Sequence, residues 1–250
     1  MIKVIVHGCC GKMGQVLVNM LESNPNTQVV AGIDKFCSNH KYDFPVFEKA
    51  SDCNVDAQVV IDFSHYSLVS PLLDFCKSSK LPLVLCTTGL SQDLEKEMVA
   101  ASKEVAIFKS GNMSLGINLL IDLVKKATAI LSDFDVEIIE KHHNKKVDSP
   151  SGTAFMIANA IKDSHKDEKE LIYGRYGNNT KRESKEIGIH AVRGGTIVGE
   201  HTAIYAGEDE IIEIKHAASS KKVFAQGSIK AALYIANKEP GLYNMDDLLK

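Results

Sequence analysis

No apolar run in this sequence approaches the roughly 20 residues that a membrane-spanning helix needs. Basic residues are not in excess: 29 Lys and Arg stand against 32 Asp and Glu, and the net charge is −3. The charges are spread along the chain, so no nucleic-acid footprint and no polybasic membrane patch is expected. None of the six cysteines forms a Cys-x-x-Cys pair, and the nine histidines form no His-Glu-x-x-His set. A disulfide framework and a zinc site are therefore not expected, no metal is assigned, and the cysteines read as buried free thiols. Low-complexity tracts and repeats are absent. The N-terminus runs straight into a strand without a signal-peptide cleavage pattern, which predicts a cytoplasmic protein.

What is present suffices for a core: 250 residues, 44% of them apolar, fill one or two domains. Ile2-Lys-Val-Ile-Val6 suits a buried parallel strand. Gly8-Cys-Cys-Gly-Lys-Met-Gly14 follows and opens a helical pattern, with Cys10 standing where Gly-x-Gly-x-x-Gly has its middle glycine. A second strand, Thr27-Gln-Val-Val-Ala-Gly-Ile33, ends at Asp34, where a Rossmann fold places the acid that binds the adenosine ribose. The helix start, with Gly8, Cys9, Cys10, Gly11, Lys12 and Met13, is expected to hold a pyrophosphate. Asp34 favours the free 2′-hydroxyl of NAD, and Lys35 beside it reads either as a partner for the 2′-phosphate of NADP or as a solvated lysine. NADH, NADPH or both are the expected cofactors. Further strands are expected at Ala57-Gln-Val-Val-Ile-Asp-Phe63, Pro82-Leu-Val-Leu-Cys-Thr-Thr-Gly89 and Val105-Ala-Ile-Phe108.

The stretch richest in chemistry is Glu140-Lys-His-His-Asn-Lys-Lys-Val-Asp-Ser-Pro-Ser-Gly-Thr153, after the strand-like Phe134-Asp-Val-Glu-Ile-Ile139. Histidine exchanges protons near neutral pH. His142 and His143 are neighbours in extended chain and should face different sides. Lys145 and Lys146 add positive charge. Ser149 suits an N-cap and Pro150 a first helical position, so the backbone N–H groups of Ser151, Gly152 and Thr153 are expected to attract a carboxylate.

Glu137-Ile-Ile-Glu-Lys-His-His-Asn-Lys-Lys-Val-Asp-Ser-Pro-Ser-Gly-Thr-Ala154 closely resembles the signature of the 4-hydroxy-tetrahydrodipicolinate reductase (dihydrodipicolinate reductase) family, Glu-x-His-His-x-x-Lys-x-Asp-x-Pro-Ser-Gly-Thr-Ala, and meets every fixed position. The resemblance spans essentially the whole chain. Cys86-Thr-Thr-Gly89 stands where the family has Gly-Thr-Thr-Gly, which implies that Cys86, Thr87 and Thr88 line the nicotinamide half of the cofactor. Ser110-Gly-Asn-Met-Ser114 resembles the family's crossover, implying nicotinamide contacts for Ser110, Gly111, Asn112 and Met113. The implied reaction is NAD(P)H-dependent reduction of 4-hydroxy-tetrahydrodipicolinate, a small dicarboxylate, in lysine biosynthesis through diaminopimelate. His142 becomes the proton donor and Lys146 a second donor or charge stabiliser, while His143, Ser151, Gly152 and Thr153 bind the substrate carboxylates. Lys145 is read as solvated.

Charge, Asn and Gly make 162–185 an exposed excursion. Ile187-Gly-Ile-His-Ala-Val-Arg193, Thr196-Ile-Val-Gly-Glu-His-Thr-Ala-Ile-Tyr205 and Glu210-Ile-Ile-Glu-Ile-Lys-His216 alternate apolar and polar residues, as half-buried strands do. Arg193 is a weaker candidate for the substrate side; His190, His201 and His216 are read as packing or interface residues. The expected fold is α/β: a Rossmann-type parallel-sheet domain (1–112 and 222–250) plus an α+β domain with a mixed, largely antiparallel sheet (113–221), which in the family binds substrate and builds a homotetramer. The rivals are a related amino- or hydroxy-acid dehydrogenase and a non-catalytic nucleotide-sensing module.

Overall fold

A computed structural model describes residues 1–37, 42–178 and 180–250. Ile2–His7 (β1) pairs in parallel with Thr27–Ile33 (β2) on one side and Val59–Asp62 (β4) on the other. Val46–Phe47 (β3) extends the sheet beyond β2, and Leu83–Leu85 (β5), Ala106–Lys109 (β6) and Gly241–Tyr243 (β12) extend it beyond β4, all in parallel. The order β12-β6-β5-β4-β1-β2-β3 covers β1, β4 and β5 on both faces. Val4, Ile5, Val6, Val59, Val60, Ile61, Leu83, Val84 and Leu85 are fully buried, which is why these strands read as unbroken apolar runs. The covering helices are Lys12–Glu22 (α1), Val69–Ser79 (α2), Gln92–Ala101 (α3) and Lys222–Ile235 (α6), with the short Met245–Leu249 (α7) closing the chain. These elements form one compact unit, Met1–Ser114 with Lys221–Lys250.

Strand order reverses at β1, between β2 and β4, and ligands of open α/β sheets bind at the strand ends beside such a reversal. Two glycines shape that end. Gly8 has φ +80°, and a Cβ there would lie 2.7 Å from the Phe63 carbonyl oxygen. A Cβ on Gly14 would lie 2.0 Å from the Gly8 carbonyl oxygen, so α1 closes onto the turn only with glycine.

The second unit, Leu115–Ser220, holds Leu115–Ile130 (α4), Asp135–His142 (β7), Gly152–Ser164 (α5), Glu170–Tyr173 (β8), Glu186–Arg193 (β9), Gly199–Ala206 (β10) and Ile211–Ala218 (β11). Its sheet runs β11-β10-β7-β9-β8 and is mixed: β10 is antiparallel to both neighbours, whereas β7 and β8 are parallel to β9. Helix α5 supplies the crossover that the parallel β7–β9 pair requires. Val136, Ile138, Glu140 and His142 occupy the buried face of β7, so the strand's period of two carries two polar groups into the interior beside its apolar ones.

Two sequence expectations change here. The helix expected at Pro150 starts at Gly152, with Ser151 as N-cap: the Ser151 N–H donates to Glu140, and its Oγ accepts from the Ala154 N–H. The stretch 162–185 is not merely an exposed excursion. It contains β8, Arg175 and Arg182 pair with Glu137, and Lys169 Nζ donates to the Ser184 carbonyl at 2.7 Å; position 179 lies outside the described residues. Among the described residues, no helix is long and apolar enough to cross a membrane.

Candidate active site

The buried end of β7 carries a hydrogen-bonded cluster. Glu140 is fully buried, and its Oε2 lies 2.7 Å from His142 Nδ1. The parallel register places Arg193 opposite His142, and both terminal nitrogens of its guanidinium donate to Glu140, each at 2.7 Å. The Ser151 N–H adds a third donor at 2.9 Å. Burial opposes the charge on Glu140, but Arg193, His142 and the Ser151 N–H outweigh it and hold the carboxyl below its usual range. An ionised carboxylate only accepts, so Nδ1 of His142 bears a proton and Nε2 is left to exchange one.

His201, opposite Glu140 in the β7–β10 register, has its ring 5.2 Å from that of His142, and its Nε2 lies 3.0 Å from Ser151 Oγ. Burial, with His142 beside it, pushes its pKa down to about 4, so this imidazole is neutral at physiological pH. His143 is half-buried, and its Nδ1 has no partner among the described residues, which suits a ligand contact. Lys146 Nζ lies 2.8 Å from Asp148 Oδ1, while Lys145 is exposed. Lys146, joined by the Gly152 N–H, holds Asp148 below the usual carboxylate range.

The three N–H groups expected to face a substrate carboxylate are therefore not equivalent: that of Ser151 serves Glu140. Gly152 is exposed, and a Cβ there would meet nothing of this chain within 4 Å. The structure thus gathers His142, His143, Lys146, Ser151, Gly152 and Thr153 around the end of β7 and the start of α5. Sequence reasoning assigned no role to Glu140, treated Arg193 as mainly structural and read His201 as packing. A signal was available for Glu140 and His201, which lie on strands whose alternation points them inward.

The His201 environment has a measurable consequence. Its unfolded pKa of 6.5 exceeds the folded value of about 4, so between these pH values the unfolded chain binds more protons. Stability is complete above 6.5 and falls by up to about 3 kcal/mol as pH drops towards 4. His201→Gln should flatten that slope in urea titrations; an unchanged slope would refute the buried neutral assignment.

The first unit carries its own cluster. A cavity of about 1330 Å³ is lined by His7, Gly8, Cys10, Gly11, Asp34, Lys35, Ser64 and His65, among others. Gly11 caps α1 without a side-chain hydrogen bond, leaving the first-turn amides available to an anion. Asp34 accepts from the amides of Cys10 and Phe36, both at 2.9 Å, and Lys35 is exposed. The open helix start, the glycine cradle and the acid at the end of β2 fit a dinucleotide.

Other expected contacts are narrower. Cys9 is fully buried and its carbonyl accepts from Tyr42 Oη at 3.0 Å; burial lifts its thiol to about 12. Cys86 and Thr87 also point inward, and Thr88 is exposed. Thr87 Oγ1 donates to Asp62 at 2.6 Å, and the other Asp62 oxygen lies 2.8 Å from His7 Nδ1, so one buried carboxylate ties together the ends of β1, β4 and β5. Lys109 Nζ donates to the Thr87 carbonyl at 2.5 Å. Ser110, Gly111 and Asn112 form a turn after β6, closed by Ser110 Oγ to the Asn112 carbonyl at 2.8 Å, and Met113 is buried.

The cysteine expectation is corrected at two positions. Cys9, Cys53, Cys76 and Cys86 are buried free thiols, but Cys10 and Cys37 are joined in a disulfide. They lie 27 residues apart, on the turns that follow two adjacent parallel strands, a proximity invisible to spacing.

A doubly wound unit with a dinucleotide-sized cavity, and a second unit bearing a buried acid–base cluster, define a pyridine-nucleotide oxidoreductase. Family profiles narrow this: "dihydrodipicolinate reductase, N-terminus" matches residues 2–113 and "dihydrodipicolinate reductase, C-terminus" residues 116–249. The chain belongs to the dihydrodipicolinate reductase family. It is 51% identical to a 4-hydroxy-tetrahydrodipicolinate reductase of Caldanaerobacter subterraneus over 100% of this chain and 99% of that one. It is 50% identical to one of Clostridium novyi, again over 100% and 99%. In fold it is similar to a dipicolinate-bound dihydrodipicolinate reductase from Paenisporosarcina, with TM-score 0.82 at 24% identity over 98% of this chain and 97% of that one.

Proposed function

We propose that this chain reduces 4-hydroxy-tetrahydrodipicolinate to tetrahydrodipicolinate, with loss of water, using NADH or NADPH, in lysine biosynthesis through diaminopimelate. The observation that carries the reading is the Glu140–His142 pair, held by Arg193 at the start of α5. The reduced nicotinamide supplies a hydride, to ring C4 of the substrate. Glu140 orients the His142 ring through Nδ1, and Nε2 delivers the proton that completes the product. Lys146 is the second donor or charge stabiliser, which requires it to exchange Asp148 for a substrate carboxylate. His143 and the start of α5 bind the carboxylates, with Thr153 and the exposed Gly152 next to the ligand. Gly8, Gly11 and the α1 amides hold the pyrophosphate, and Asp34 accepts from the ribose.

In this reading the unit made of 1–112 and 222–250 binds the dinucleotide, and 113–221 binds substrate and forms a cytoplasmic homotetramer. Exposed Val192, Ile211 and Ile212 on β9 and β11 support such a sheet interface.

The substrate reading is tested with pyridine-2,6-dicarboxylate, a planar dicarboxylate. It should inhibit competitively with substrate, and His143→Ala should weaken it by about tenfold, one charge-assisted hydrogen bond. Absence of inhibition counts against a dicarboxylate pocket. Asp34→Ala should weaken NADH by about tenfold and NADPH less, as loss of a ribose hydroxyl contact requires. Equal weakening of the two would reject the ribose role.

A further inference from the structure

We propose that Cys10 and Cys37 are a reversible redox modification site at the adenosine end of the dinucleotide cavity, and that closing the bond lowers affinity for NADPH relative to NADH. The proposal rests on the dinucleotide reading of that cavity.

The two cysteines flank Asp34. Cys10 follows β1, Cys37 lies three residues beyond the acid, and their Cα atoms are 5.5 Å apart, inside the range a disulfide spans. Both are partly exposed, so a small thiol or disulfide can reach them. Cys9 is the rival partner, its sulfur 3.7 Å from that of Cys10. Cys9 is fully buried, however, and a thiol lifted to about 12 offers almost no thiolate at neutral pH. The reactive pair is therefore Cys10 with Cys37.

The oxidant is a low-molecular-weight organic disulfide. One cysteine thiolate attacks it, forming a mixed disulfide and releasing one thiol; the second cysteine thiolate then displaces the other thiol and closes Cys10–Cys37. Two protein thiols are oxidised, the external disulfide is reduced to two thiols, and the two cysteine protons end on them. Excess thiol reverses both steps.

Closure matters because of what lies inside the ring. Asp34 already accepts from the Cys10 and Phe36 amides, and the bond fixes that arrangement from both sides. The acid is then held where a ribose hydroxyl can reach it. Lys35 is exposed, its Nζ 5.7 Å from the centre of the Phe36 ring. A 2′-phosphate needs Lys35 to approach and the Asp34 carboxylate to withdraw, and a closed ring resists both movements. The open dithiol permits them.

The experiment uses the full chain and its Cys37→Ser variant, treated with glutathione disulfide or with dithiothreitol. Alkylation and peptide mapping should find Cys10 linked to Cys37 after oxidation and both alkylated after reduction. The ratio of NADPH to NADH affinity, from nicotinamide fluorescence, should fall by about tenfold on oxidation, recover with dithiothreitol, and stay constant in Cys37→Ser. A Cys9–Cys10 link, a persistent mixed disulfide, or one zinc per chain that blocks these thiols until chelated would overturn the proposal. So would a Cys10–Cys37 bond that leaves the ratio unchanged. If the reduced protein binds neither nucleotide, the reading of the cavity falls and the gate with it, while the linked peptide still reports the bond.

Discussion

His142→Ala should lower the turnover number by about 10²–10⁴, the range typical for loss of a general acid, while NADH affinity changes little. The size follows from placement. His142 is buried, its Nδ1 is committed to Glu140, and Nε2 is the nitrogen left for proton transfer. His201 is no substitute, because burial keeps it neutral down to about pH 4 and its Nε2 is engaged with Ser151. Steady-state rates, with nucleotide affinity measured separately by fluorescence, check the expectation. Normal turnover in the variant removes His142 from the mechanism; a parallel loss of NADH binding would point to misfolding.

Glu140→Ala should strongly destabilise the second unit, costing about 3 kcal/mol. Arg193 would lose two charge-assisted hydrogen bonds, and the amide of Ser151 and the ring of His142 one each. The Arg193 side chain is 19% exposed, so water recovers part of the loss, which places the value at the low end of the buried-pair range. Turnover should also fall, since nothing then orients His142. Urea unfolding gives the energy, and the double variant with Arg193→Ala separates pair from packing: it should be less destabilised than the two single changes added together. Strict additivity, or a cost below about 1 kcal/mol, would mean that the pair does not act as a buried unit.

Much of the fold is legible in the sequence because burial leaves periodic traces. The two-sided burial of β1, β4 and β5 writes continuous apolar runs, and the alternation along β7 and β10 reports one covered face. Short edge elements leave weaker traces: β8 and β12, four and three residues long, went unrecognised inside polar segments. Among candidate site residues, local chemistry is visible and long-range partnership is not. His142, His143 and Ser151 stand in one motif, but Arg193 reaches Glu140 across 53 positions through a parallel register, and His201 reaches Ser151 across 50. The helix start was misplaced because the Ser151 amide is drawn to Glu140, a partner that cap preferences do not contain. Cys10 and Cys37 escaped notice for a similar reason, since only the β1–β2 pairing brings their turns together.

The measurement that bears most directly on the proposed reaction is nucleotide oxidation with substrate made in the same cuvette. Pyruvate and aspartate semialdehyde are combined by the preceding synthase, and loss of reduced nicotinamide absorbance is followed with NADH and with NADPH. Oxidation should require the synthase and fall by about 10²–10⁴ in His142→Ala. Folded protein that binds NADH yet oxidises neither nucleotide under these conditions would contradict the proposed reaction.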